Sequence, residues 1–370
     1  MSEVIVVGAG LVGASIARRL AERDARVHVL EASRPAGGTS LATFAWVNAV
    51  GKQPRSYFDL NVAGADEHRR LVDEIGGGEW YHPGGNLEWS SKVDDVRAKA
   101  DHHRDWGYPV EWLEPARARA LEPDAAIDDG AGIAFYPEDA WIDPVPLVAR
   151  LLDHPRLSVT SGAAVVRLGA DGSAGGVEMT DGRRIGADAI VVATGPDAAE
   201  LLEPIGFELP MRHAPGLLAL TEPAPVRVAR ILHAPGVAIR PDGAGRLLLA
   251  ADDLDKRLEP SGGDLPVSDA VDELVTRARR ALPGIAGVRV EVTRIGRRAL
   301  PGDGQPAIGP IPGREGVYVA IMHSGVTLAP LVGRLVTDEV VDGITHQVLD
   351  DYRPARFATA GRTDQPPARG

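Results

Sequence analysis

The sequence predicts an α/β protein whose two domains are interleaved along the chain, and three observations carry that expectation. A β-branched strand, Val4-Ile5-Val6-Val7, runs straight into Gly8-Ala9-Gly10-Leu11-Val12-Gly13. Two further buried-type strands, Ala189–Val192 and Val317–Met322, end in sharp turns of their own, Ala193-Thr194-Gly195-Pro196 and His323-Ser324-Gly325. The segments between them have a different character, and 370 residues exceed what one core comfortably serves.

The N-terminal element assigns a separate task to each residue type. Gly8 lets the strand turn tightly, Gly10 lets backbone approach a pyrophosphate, and Gly13 lets the following helix pack close to the strand. The amides of Leu11 and Val12 and the positive end of that helix, expected over Ala14–Arg23, suit phosphate. A second strand, Val27–Leu30, closes on Glu31, eighteen residues after Gly13 and placed to accept hydrogen bonds from ribose hydroxyls, with Ala32 beside it. Strand, glycines, helix, strand and acid in register describe a Rossmann-like dinucleotide unit. The acid disfavours a 2′-phosphate, which leaves NAD or FAD.

Further along, residues 54–75 read as a helix ended by Gly76-Gly77-Gly78, and Gly84–Trp89 as a strand opening a new region. Lys92–Asp105 and Ala116–Leu121 read as polar helices; His102 and His103 are expected on the surface of the first. Asp143-Pro144 starts another helix, with its cap and first-turn proline in the favoured order. Short strands follow at 157–160, 163–168 and 175–180, and others at 217–220, 237–240, 246–250 and 288–293. Helices are expected over Val267–Leu282 and Ala329–Asp342, and a disordered tail over 361–370.

Composition narrows the function classes. A net charge of −12 repels phosphate backbones, so nucleic acid is not an expected partner. No apolar run reaches the roughly 20 residues of a membrane span. A strand starting at Val4 leaves no room for a signal peptide, and a cytoplasmic setting is expected. The absence of cysteine excludes thiolate catalysis, disulfides and thioether-linked cofactors. No histidine and acid spacing suggests a metal site.

Three segments together, Gly8–Glu31, Val191–Pro196 and Asp303–Pro330, resemble the D-amino-acid oxidase-like FAD oxidoreductases, which include glycine and sarcosine oxidases. The resemblance spans nearly the whole chain in the right order. It implies a three-layer FAD domain over 1–80, 141–210 and 298–360. A substrate domain on a mostly antiparallel sheet would take 81–140 and 211–297, with the flavin ring where the two meet. It implies FAD as cofactor, touched by Thr39 and Ser40, by Val165 through its backbone, by Ala193, Thr194 and Gly195, and by Gly325, Val326 and Thr327. The helix starting at Gly325 would turn its positive end toward the pyrimidine side of the flavin. With no cysteine, and no histidine over Ser40–Phe44, non-covalent attachment is expected.

The resemblance also implies oxidation of a C–N bond by hydride transfer to flavin N5, giving an imine that water hydrolyses. Oxygen or another acceptor would then reoxidise the flavin. Arg298, five residues before Asp303, stands where glycine oxidase-like members bind the substrate carboxylate; Arg297, Arg294 and Arg240 compete for that role. His323, Trp46 and Asn48 are candidates beside flavin or substrate, and His213 is a weaker one. Sarcosine oxidase-like members carry a lysine where Thr327 stands here, and the oxygen-activating lysine of that group falls near the apolar Leu247. Three alternatives stay open: a biosynthetic flavoenzyme for a larger secondary amine, a flavin subunit of a heteromeric dehydrogenase, and an NAD-dependent dehydrogenase.

Overall fold

The computed structural model describes residues 2–169, 175–259 and 265–358, so the tail expected to be disordered lies outside the described residues. The chain divides into two compact units, one of residues 1–37, 147–212 and 299–370, the other of 38–146 and 213–298.

A six-stranded sheet organises the first unit, in the order 307–310, 317–321, 189–192, 3–7, 26–31, 157–161. All neighbours run parallel except the antiparallel edge pair 307–310 with 317–321. Strands buried on both faces need near-continuous apolar sequence, and Val4–Val7 and Ala189–Val192 have it. One face, carrying Ile5, Val7, Leu30, Ile190, Val192 and Ile321, packs on a small antiparallel sheet (165–168, 177–179, 184–185) and the short helix Ala198–Leu202. Against the sheet also lies the helix Leu11–Glu22, itself packed along the helix Gly325–Asp342. These are the three expected layers, with a sheet rather than helices forming one of them.

An eight-stranded sheet spans the second unit, in the order 290–297, 215–221, 246–250, 237–242, 231–234, 86–90, 132–136, 111–112. Only 231–234 and 86–90 pair in parallel; every other pair is antiparallel. The helix Val267–Ala281 buries Ala270, Leu274 and Ala278 in the core formed with this sheet. A three-stranded sheet (46–47, 140–142, 81–83) completes the unit. Residues 38–80 were expected with the nucleotide unit but pack here. Phe58 and Val62 of the helix Arg55–Ile75 join Val96, Tyr108 and Tyr136 in one apolar cluster, and Trp46 pairs in strand register with Trp141.

His103 departs from its expected surface position. It is 2% exposed, because its face of the helix Val93–Asp105 meets Phe58, Tyr108 and Tyr136. Its Nε2 accepts the Gly51 N–H at 3.0 Å. Burial, reinforced by nearby Lys99, lowers its pKa to about 4, so the ring is neutral, as an accepting nitrogen requires. Among the described residues no helix is long and apolar enough to cross a membrane, and no cluster of three or more histidines and acids could hold a metal.

Candidate active site

In the first unit the glycine turn is enforced by contact. Gly8 has φ +104°, and a Cβ there would lie 2.6 Å from the Ala193 carbonyl oxygen. A Cβ on Gly13 would lie 2.0 Å from the Gly8 oxygen, so strand and helix can be this close only with hydrogen at that position. Gly10 stands at the N-cap with no side chain to occupy the first amides, and no acid lies in the first helical turn. An anion therefore meets the positive end of the helix unopposed.

The two other motifs converge on this turn. The Gly8 Cβ position is 3.3 Å from Thr194 Cα, and the buried Thr194 Oγ1 has no hydrogen-bond partner among the described residues. A Cβ on Gly325 would approach Val12 Cγ2 to 3.3 Å, so the last long helix begins beside the start of the first. Its first turn also lacks acids, and Thr327 within it is 2% exposed. His323 is exposed in the turn just before it.

Glu31 holds a fixed carboxylate. One oxygen accepts the Ala9 N–H at 2.9 Å and the other the Ser33 N–H at 2.8 Å, which leaves lone pairs on both for ribose hydroxyls. Backbone bonds from Ala163 to Glu31 (2.9 Å) and from Gly162 to Ser33 (3.2 Å) bring the segment leading to Val165 alongside, while Ala32 itself is exposed. A glycine cradle, two helix starts without acids, an oriented acid and an orphaned hydroxyl fit the diphosphate and ribose of FAD.

Thr39, Ser40, Trp46, Asn48 and Arg298 belong to the second unit. Thr39 Oγ1 donates to the Arg297 carbonyl at 2.6 Å, and a Cβ on Gly296 would sit 2.5 Å from the Ala42 oxygen. The segment 39–42 thus lies against the end of the strand Val290–Arg297. Arg298, the residue after that strand, donates from one Nη to Asp255 and lies 3.5 Å from Asp252. The Asp255 side chain is 2% exposed and also accepts the Leu217 N–H at 2.7 Å. Burial pushes its carboxyl up, against the lowering effect of Arg298.

The competing arginine, Arg240, is 3% exposed. Its guanidinium lies 4.5 Å over Trp141, donates to the Phe44 carbonyl at 2.7 Å and meets Asp242 at 3.2 Å. Desolvation lowers its pKa while Asp242 opposes the shift. Exposed His213 makes no corresponding arrangement.

Trp46 is locked rather than loose. Its Nε1–H donates to Asp139 at 2.9 Å, and its ring lies 4.4 Å from that of His233. Asn48 donates back to the Trp46 carbonyl at 3.2 Å. Tyr108 donates its hydroxyl to the other Asp139 oxygen at 2.5 Å. Asp139 is 1% exposed, and desolvation raises its pKa to about 7 against these two donors. His233, bonded to Asn86 at 2.7 Å, is driven down to about 3 by burial and by Lys99, and so stays neutral. Sequence reading missed Asp139, Asp252 and Asp255, because none lies in a motif.

The first unit has the features of a dinucleotide-binding domain that takes FAD. Residues 3–339 match the model of the FAD dependent oxidoreductase family, DAO, and the chain belongs to it. It is 30% identical to glycine oxidase of Pseudomonas aeruginosa over 380 residues, covering 98% of this chain and all of that one. It is 28% identical to glycine oxidase of Geobacillus kaustophilus over 91% of this chain and 92% of the relative. The crystal structure of that enzyme superposes with a TM-score of 0.82, covering 96% and 99% of the two chains. L-proline dehydrogenase from P. horikoshii, at 20% identity, shares the fold with a TM-score of 0.83 over 96% of this chain and 98% of that one.

Proposed function

We propose that this protein oxidises the C–N bond of a small amine or amino acid, with FAD held non-covalently and Arg298 facing a substrate carboxylate. The observation that carries the reading is Arg298 itself. A planar, permanently charged fork is aimed by the buried carboxylate of Asp255, at the position where the resemblance expects a carboxylate clamp. The glycine oxidase relatives, matched along almost the whole chain, support an amino-acid substrate.

FAD, when bound, supplies the acceptor for the hydride leaving the carbon next to nitrogen. The chain's own residues bind and orient. The turn Gly8–Gly13 would present amides to the diphosphate, Glu31 would accept from ribose, and Ala193, Thr194 and Gly195 would join that set in the same unit. The helix start at Gly325, Val326 and Thr327 would offer a positive dipole end to the negative charge of a reduced flavin. Arg298 would fix the carboxylate end of the substrate, with Trp46 and Asn48 of the same unit as candidate walls. An amine that binds neutral needs no strong base from the chain, so orientation carries the rate.

The test follows the visible flavin band without oxygen while glycine, sarcosine, proline, D-amino acids and non-carboxylated secondary amines are added. Bleaching by a carboxylated member is expected, and Arg298→Ala should raise its KM about tenfold or more. Unchanged turnover of every carboxylated substrate in that variant would remove Arg298 from the role. A second reading, a biosynthetic flavoenzyme for a larger secondary amine, is favoured by the neutral, buried Thr327 and would bleach only with amines lacking a carboxylate.

A further inference from the structure

We propose that the cavity beside Arg314, at the end of the first unit's sheet away from the glycine turn, is a second ligand site, for a small organic anion that joins a carboxylate or phosphate to an aromatic ring. The proposal is independent of the amine-oxidising reading and of the FAD cradle.

The cavity is open to solvent and has a volume of about 870 Å³, within the range of small-molecule sites. It forms where the antiparallel edge pair turns, between Pro310 at the end of one strand and Val317 at the start of the next. Strand register sets it apart from the nucleotide turn. Val317 is level with Ile190 and Ile190 with Ile5, three residues before Gly8, and the loop 311–316 extends the other way. At about 3.3 Å per residue, the loop lies more than about 10 Å from Gly8 along the strands alone. The cavity and the glycine turn thus open at opposite ends of one sheet.

Two arginines line the cavity, and they are engaged very differently. Arg353 is committed: its two Nη groups donate to the buried Glu339 at 2.9 and 2.6 Å, and one also donates to the His346 carbonyl at 3.3 Å. Half-buried Arg314 is held at one point. Its Nε donates to the Ile205 carbonyl at 2.6 Å, and one Nη lies 3.3 Å from where a Cβ on Gly206 would stand. Among the described residues this guanidinium forms no ion pair within 4 Å. Glu315, which also lines the cavity, is exposed and pairs with neither arginine. The half-buried Tyr318 hydroxyl is likewise without a hydrogen-bond partner among the described residues. Burial and the Glu339 carboxylate raise its pKa, with Arg353 opposing, so it keeps its proton and can donate.

A guanidinium fixed through Nε keeps the N–H groups of both Nη atoms for a ligand, and that fork matches the paired oxygens of a carboxylate or phosphate. The phenol adds a further donor. Pro310, Pro312, Ala355 and the Tyr318 ring give a flat apolar body surface to pack on. A half-buried cation that no acid neutralises gains most from a ligand that brings the negative charge.

Phenyl phosphate and benzoate are the probes, titrated by calorimetry into the FAD-loaded protein, with benzyl alcohol as the uncharged control. Each titration is repeated on Arg314→Met, on Ala355→Trp, which adds bulk to the wall and keeps both arginines, and on Arg298→Met. Circular dichroism and flavin content serve as folding checks. The parent is expected to bind at least one anion, the tighter of the two showing whether phosphate or carboxylate is preferred. Arg314→Met and Ala355→Trp should each weaken that binding about tenfold or more, with flavin content unchanged, while Arg298→Met leaves it intact. A parent that binds neither anion, or benzyl alcohol binding as tightly, would overturn the proposal. So would affinity that survives Arg314→Met or Ala355→Trp, or that is lost in Arg298→Met, which would place the anion at the substrate clamp instead.

Discussion

At the scale of single residues, the most constrained group is Asp139, a carboxyl 1% exposed beneath Trp46 and Tyr108. It titrates near 3.8 in the unfolded chain and about 7 when folded, so folding favours its protonated form. Its contribution to stability is fully present below pH 3.8 and is lost as pH rises toward 7, at up to about 1.4 kcal/mol per pH unit. Asp139→Asn should remove this slope, so urea midpoints of parent and variant should converge or cross between pH 4 and 7. A parallel pH dependence in both proteins would show that Asp139 is ionised in the fold.

At the scale of elements, glycine contacts decide how close helices and strands can come. Gly333 of the last long helix faces the first, and a Cβ there would lie 2.8 Å from the Ser15 carbonyl oxygen. Gly333→Val should force the two helices apart at a cost of about 1–3 kcal/mol and separate the two helix starts that converge at Val12 and Gly325. Thermal melting and retained flavin should both drop. Gly8→Ala combines φ +104° with backbone 2.6 Å away and should lose flavin more completely than stability. Elements with a strong periodic or apolar pattern were legible. The helices Arg55–Ile75 and Val267–Ala281 and the strands Glu3–Val7 and Val317–Ile321 all lie within a few residues of expectation. The last helix begins at Gly325, where the family resemblance implied a helix start, four residues before the Ala329 that the apolar pattern alone suggested, and it carries Pro330 in its interior. The strands 132–136, 140–142 and 231–234 escaped notice, since each is short, uniformly apolar or centred in an irregular stretch, and only pairing reveals it.

At the scale of the whole molecule, each unit is assembled from chain segments far apart in sequence, with the nucleotide sheet drawing strands from 3–7, 26–31, 157–161, 189–192 and 307–321. A ligand that binds only the assembled first unit must therefore stabilise it. FAD at about 100 times its Kd should add about 2.7 kcal/mol, read as a rise in Tm over flavin-stripped protein. Acid precipitation should release the flavin into the supernatant; yellow retained in the pellet would refute non-covalent attachment.

Sequence alone determined the parts whose physics is local: the glycine turn, its helix and the acid after the second strand, the −12 charge and the cysteine-free chemistry. Each depends on neighbouring residues or on composition. Tertiary structure alone decided that residues 38–80 pack in the second unit, that His103 is buried, and that Asp139 and Asp255 are buried carboxyls held by distant donors. Their character comes from desolvation and from charges far away in sequence, and both exist only once the chain has folded around them.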